Sequence, residues 1–198
     1  LAALAQGGPP PGRGDAQNPD WPCVQRKVTT LTSTQIWDGP PTEDLVTWSS
    51  DAEVLKLVPG LTSRRVKIED AAKAIAALAE KTPAAERDER MKRLFQGVLS
   101  TINDQRKSVM GGIERLQQRQ RARAAEIERE GSEIIKLKEK ATDDAGQKTL
   151  AEAEDRYAWD VRVFQERQQN IPIACEIPVQ IEQRAFEIGR EIRKVMSK

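Results

Sequence analysis

Cys23 and Cys175 are the two cysteines of a chain that contains no histidine. Two thiols can serve as a redox couple, as metal ligands or as a structural disulfide. A redox couple calls for close spacing such as C-x-x-C, and these residues lie 152 positions apart. A zinc site built on two thiolates needs further ligands, and without imidazole these would have to be carboxylates, an uncommon combination. The spacing therefore predicts one structural disulfide, Cys23–Cys175. Closing so long a loop removes about 5 kcal/mol of unfolded-state entropy in the chain-entropy model. It also implies folding in an oxidising compartment.

The missing histidine removes more chemistry. Ser-His-Asp and Cys-His catalysis, an imidazole general base and a pH switch near neutrality are all excluded by composition. None of the phosphate-loop, nucleophile-elbow, zinc-helix or dinucleotide-binding motifs occurs. Carboxylate pairs such as Glu152 with Glu154, or Asp143 with Asp144, sit among many other charges and read as solvated faces. A carboxylate-based hydrolase needs two carboxyls roughly 5–10 Å apart in a cleft, and the pattern offers no cleft. The expectation is no enzymatic activity, no cofactor and no metal.

Charge narrows the partners. The 198 residues carry 32 Lys plus Arg against 31 Asp plus Glu, with mean hydropathy −0.64. The densest basic run, Arg115, Arg119, Arg121 and Arg123, is flanked by Glu114, Glu126, Glu128 and Glu130, which cancels its field. Nucleic acid is not an expected partner. No stretch approaches the roughly 20 apolar residues of a membrane-spanning helix.

The elements that position these residues follow from composition and period. Residues 1–20 read as a signal-peptide remnant, with Ala3-Leu4-Ala5 as the small-x-small element, followed by a Pro/Gly-rich tether. The Arg13-Gly14-Asp15 tripeptide in this tether is taken as a chance occurrence. Together with the cysteine pair, this segment predicts a periplasmic or secreted protein. Residues 21–48 show no helical period and hold Trp21, Trp37 and Trp48. They read as an extended strap whose tryptophans are burial anchors rather than a ligand platform, because an extended segment must bury something to be ordered.

Residues 49–81 predict two short helices. The first has Ser50 and Glu53 as a capping box and ends at Pro59-Gly60; the second spans about 68–81. Thr82-Pro83 reads as the N-cap and first position of a long helix to about residue 141. Its seam runs Met91, Phe95, Val98, Ile102, Val109, Ile113, Leu116, Ala124, Ile127, Ile134 and Leu137. After a turn at 142–146, Leu150, Tyr157, Phe164, Ile171, Cys175, Ile181, Ile188 and Ile192 repeat the spacing, with a kink or brief break expected near residues 172–178. Narrow apolar seams amid dense charge predict an all-α fold: an antiparallel coiled-coil hairpin over residues 82–198 (about 83–141 and 143–197). In such a hairpin residue n faces roughly residue 287 − n, which sets Cys175 near Gly111-Gly112. That pair of glycines reads as a notch where the strap crosses.

Leu94, Leu99, Ile135 and Val163 fall off the main seam and predict a second stripe for another copy of the chain or for a different protein. The function these features predict is a structural or protein-interaction subunit of an envelope complex. The alternative is a periplasmic chaperone or adaptor that grips a client with its helices.

Overall fold

The computed structural model describes residues 18–42 and 47–197. The proposed cleavage element, most of the tether and the Arg13-Gly14-Asp15 tripeptide lie outside the described residues. The elements are α1 (Ser33–Ile36), a 3-10 turn (Trp48–Ser50), α2 (Ala52–Thr62), α3 (Ile68–Lys81), α4 (Ala84–Lys140) and α5 (Asp144–Lys194). No strand occurs among the described residues. The fold is all-α, and the 57-residue α4 and 51-residue α5 pack against each other as a hairpin.

Cross-helix partners fall within about a turn of the register expected from the seam. Arg106 meets Glu182, Gln120 meets Gln168, Arg123 meets Asp160 and Lys138 meets Glu154. The turn is closed by Asp143, whose Oδ1 accepts the Gly146 backbone N–H at 2.8 Å and so caps α5. Helix α5 continues through Pro172 and Pro178 without the expected break. Each proline removes one ladder donor, a modest cost when the residues around it are held by burial. Ile171, Cys175, Pro178 and Ile181 are all buried.

The chain divides into two compact units: residues up to 27 with Gly111–Cys175, and Val28–Met110 with Glu176–Lys198. The second unit holds the main core. Met91, Leu94, Phe95, Val98 and Ile102 of α4 pack with Ile181, Ala185, Ile188 and Ile192 of α5, and α2 and α3 add Val54, Val58, Leu61, Ile75 and Leu78. Leu94 is therefore a core residue rather than part of an outward stripe, and Leu99 packs against the same core. The short helices cover the face that α4 and α5 alone would leave wet.

Local signals were rearranged where tertiary contacts outweighed them. The cap of α2 is Asp51, whose side chain accepts from the Glu53 and Val54 N–H groups, while the Ser50 hydroxyl donates to Thr47 O inside the 3-10 turn. Asp51 is preferred because it also receives Arg90 Nε at 2.8 Å, with Glu53 taking Arg90 Nη2 at 2.7 Å. Helix α2 runs past Pro59-Gly60 to Thr62, since Leu61 and Thr62 are buried and the Thr62 hydroxyl donates to Val58 O. Thr82 closes α3 instead of opening α4. Its hydroxyl donates to Leu78 O at 2.7 Å, and Pro83 O accepts the first α4 bond from Glu86 N–H.

Among its described residues the strap is free of regular helix as expected, except for the single turn α1 and Trp48, which opens the 3-10 turn. Trp37 stacks on Phe95 with ring centroids 4.2 Å apart, and its Nε1 donates to Pro40 O. Asn103 grips the strap like a neighbouring strand: its Oδ1 accepts Leu31 N–H at 2.9 Å and its Nδ2 donates to Leu31 O at 3.0 Å. Trp48 is half-buried against the core. It lies over Gly97 of α4, where a Cβ would come within 2.8 Å of both the indole and Val58. Gly97→Ala should therefore cost roughly 1–3 kcal/mol through overpacking. Gly60 of α2 has nothing within 4 Å of a Cβ and a helical backbone, so Gly60→Ala should gain roughly 0.5–1 kcal/mol. Urea unfolding of the two variants should show these opposite shifts.

Candidate functional site

Cys23 and Cys175 are joined, with Cα atoms 5.6 Å apart, and both are buried. The bond belongs to a clasp in the first unit, where the beginning of the strap lies along α4 and α5. Trp21 is 1% exposed, and its Nε1 donates to Gln25 O at 2.8 Å. Gln25 Nε2 donates in turn to the Cys175 carbonyl. Lys27 pairs with Glu114, which also accepts from Asn18 Nδ2 at 3.1 Å. Asp20 accepts from Gln118 Nε2 at 2.8 Å and from Arg121 Nη1 at 3.0 Å. From Lys27 back to Asp20 the strap's partners thus move forward along α4 from Glu114 to Arg121, while Asn18 returns to Glu114.

Gly111 and Gly112 have a different role from the expected one. A Cβ at either position would meet the Arg115 guanidinium of the same helix, at 3.3 Å and 3.9 Å, and no other described atom within 4 Å. Docking of the strap is set by the disulfide, by Trp21 and by the polar partners at 114–121, not by a glycine notch. Glycine serves close approach at Gly97 instead.

Nearer the turn, the same unit is less covered. A groove of about 570 Å³ opens along α4 and α5, lined by Glu128, Gly131, Ser132, Ile134, Ile135, Lys138, Glu154 and Tyr157. Ile134 is buried on the seam, whereas Ile135 beside it is 62% exposed. Gly131 keeps the floor low, since a Cβ there would touch the Tyr157 hydroxyl at 3.4 Å. Lys138 and Glu154 form an exposed ion pair at the rim at 2.8 Å. Gln120, buried on the seam, donates to Phe164 O and to Gln168 Oε1. Of the four off-seam apolar residues, Ile135 is the one left exposed; Val163 is half-buried. Trp159, 58% exposed with the Arg162 guanidinium 4.5 Å over its ring, is a surface aromatic the periodicity did not single out.

Buried charge in the second unit was equally invisible to the periodicity. Arg184 donates through Nε to Leu61 O at 2.8 Å, so a cation meets the C-terminal end of α2 where the helix dipole favours it. Arg106 lies 3.4 Å from Glu182. Burial lowers the pKa of both guanidiniums, opposed by Glu182 for Arg106 and by Glu187 for Arg184. Among the described residues no group of three or more Cys, Asp or Glu is placed to hold a metal ion. None of the helices described is long and apolar enough to cross a membrane.

A buried, bonded cysteine pair fits a protein that folds outside the reducing cytoplasm. The chain matches no protein-family model, no curated protein and no solved structure.

Two carboxylates tie these contacts to pH. The hydrogen bond from Lys27 holds Glu114 below its ordinary value, and the hydrogen bond from Arg90 does the same for Asp51. A depressed folded-state value stabilises fully above the unfolded value and is lost as pH falls through the folded one. The wild type should lose stability progressively below about pH 4.5, and a Glu114→Gln, Asp51→Asn double variant should show a flatter acid limb. Replacing both cysteines by serine should cost about 2–5 kcal/mol in thermal unfolding at neutral pH.

Proposed function

We propose that this is a non-enzymatic helical-hairpin protein that works by binding another protein, as a structural or interaction subunit of an envelope complex, periplasmic or secreted. The reading is supported above all by the groove near the turn. There Ile135 stands exposed over Gly131 and Tyr157 on two helices fixed by their own seam. An apolar strip with a charged rim is the anatomy of a helix-docking surface: burial supplies affinity, and the rim supplies register and choice of partner. The groove is built on two long helices packed against each other, so little ordering entropy is lost on binding.

A photo-crosslinking amino acid placed at position 135 in the cell of origin tests this, with one at exposed Lys107 as the control. A discrete protein adduct from position 135 and none from position 107 is the expected result. No adduct from 135, or equal adducts from both, would overturn the interaction reading. Suppression of the aggregation of unrelated clients, without a discrete adduct, would instead favour a client-gripping chaperone.

A further inference from the structure

We infer that the partner at this groove is a second copy of the chain, docked antiparallel about a two-fold axis close to residue 133 of α4. The inference rests on the protein-binding reading above and adds the identity of the partner. On α4 the groove is edged by Glu128, Gly131, Ile135 and Lys138, which share one face at three- and four-residue spacing.

Reversed upon itself, this row is complementary. Glu128 of one copy comes opposite Lys138 of the other, and Lys138 opposite Glu128. The exposed Ile135 comes opposite Gly131, beside the Tyr157 ring that borders that glycine. A knob thus meets a hole and each charge meets its opposite, twice, as an isologous contact requires. A parallel arrangement would set Glu128 against Glu128 and Lys138 against Lys138, which like-charge repulsion disfavours.

Lys138 is held by Glu154 in the single chain, but both side chains are about half exposed. A surface pair of this kind contributes little, so redirecting Lys138 across the interface gives up little. The Glu128 backbone carbonyl accepts the Ser132 hydroxyl at 3.0 Å, and no hydrogen bond or ion pair holds its carboxylate among the described residues. Glu128 is one of the residues that line the groove.

Sedimentation velocity of the purified, oxidised full chain over a range of concentrations tests the proposal. The wild type should shift reversibly from monomer to dimer. Ile135→Lys should remove the dimer, with a melting curve matching the wild type at concentrations where both are monomeric confirming that the exposed position does not disturb the fold. Glu128→Lys and Lys138→Glu should each weaken self-association at least tenfold. Mixed together, the two single variants should recover a heterodimer, because each new charge then meets its opposite. A wild type that stays monomeric at every concentration would overturn the proposal, as would a dimer indifferent to all three substitutions. A monomer that still gives a discrete adduct to a different protein from position 135 would refute self-pairing and leave the protein-binding reading standing. A monomer with no adduct would remove both.

Discussion

Two packed helices can bury only one stripe each, and that limit organises this protein. Along α4 and α5 the seam residues meet in register, but a hairpin alone leaves every neighbouring apolar position wet. In the unit that holds the main core, the chain meets the limit with its own material. Helices α2 and α3 and the Trp37 end of the strap cover Leu94, Phe95 and Val98, and these become fully buried. In the other unit the described part of the strap covers α4 where Glu114, Gln118 and Arg121 receive it. Among the described residues none covers the stretch from Glu128 to Lys138 in this way, and it lines an open groove.

The polar contacts follow from the same limit. An extended strap cannot satisfy its backbone internally, so side chains of α4 must do it. Asn103 presents donor and acceptor to Leu31, and Gln96 donates to Thr42 O. Buried Arg184 supplies a donor to the last turn of α2, whose carbonyls have no helical partner. The disulfide belongs to this group of devices. It fixes a short segment that buries too little surface to hold itself in place, apart from Trp21.

Much of this was legible in the sequence wherever one period or one elimination governed. The second short helix spans Ile68–Lys81 as its apolar spacing indicated, the seam partners face one another, and Cys23 joins Cys175. What escaped was decided by contacts far apart in sequence. Nothing local tells Ser50 from Asp51 as a cap, because the choice depends on Arg90, 39 residues away. Pro59, Pro172 and Pro178 looked like helix stops, yet burial of the residues around them carries the helices through. Gly111-Gly112 stood out as a pair, whereas the single Gly97 does the work of admitting an indole. Leu94 looked spare only because a seam of period 3.5 was the reference, and α4 buries a wider face where α2 and α3 lie. Arg106 and Arg184 carry no mark of burial beyond the small Ala185 next to the latter.

Among the described residues, none covers the α4 segment around residues 128–138 as α2, α3 and the strap cover the segment around 91–102. Native-state amide hydrogen exchange measures this directly, residue by residue, on dilute protein with its disulfide intact. Amides of residues 91–102 should exchange only through global unfolding, while those of 128–138 should exchange through local opening at much lower free energy. Equal, global-level protection along the whole of α4 in the dilute chain would contradict it.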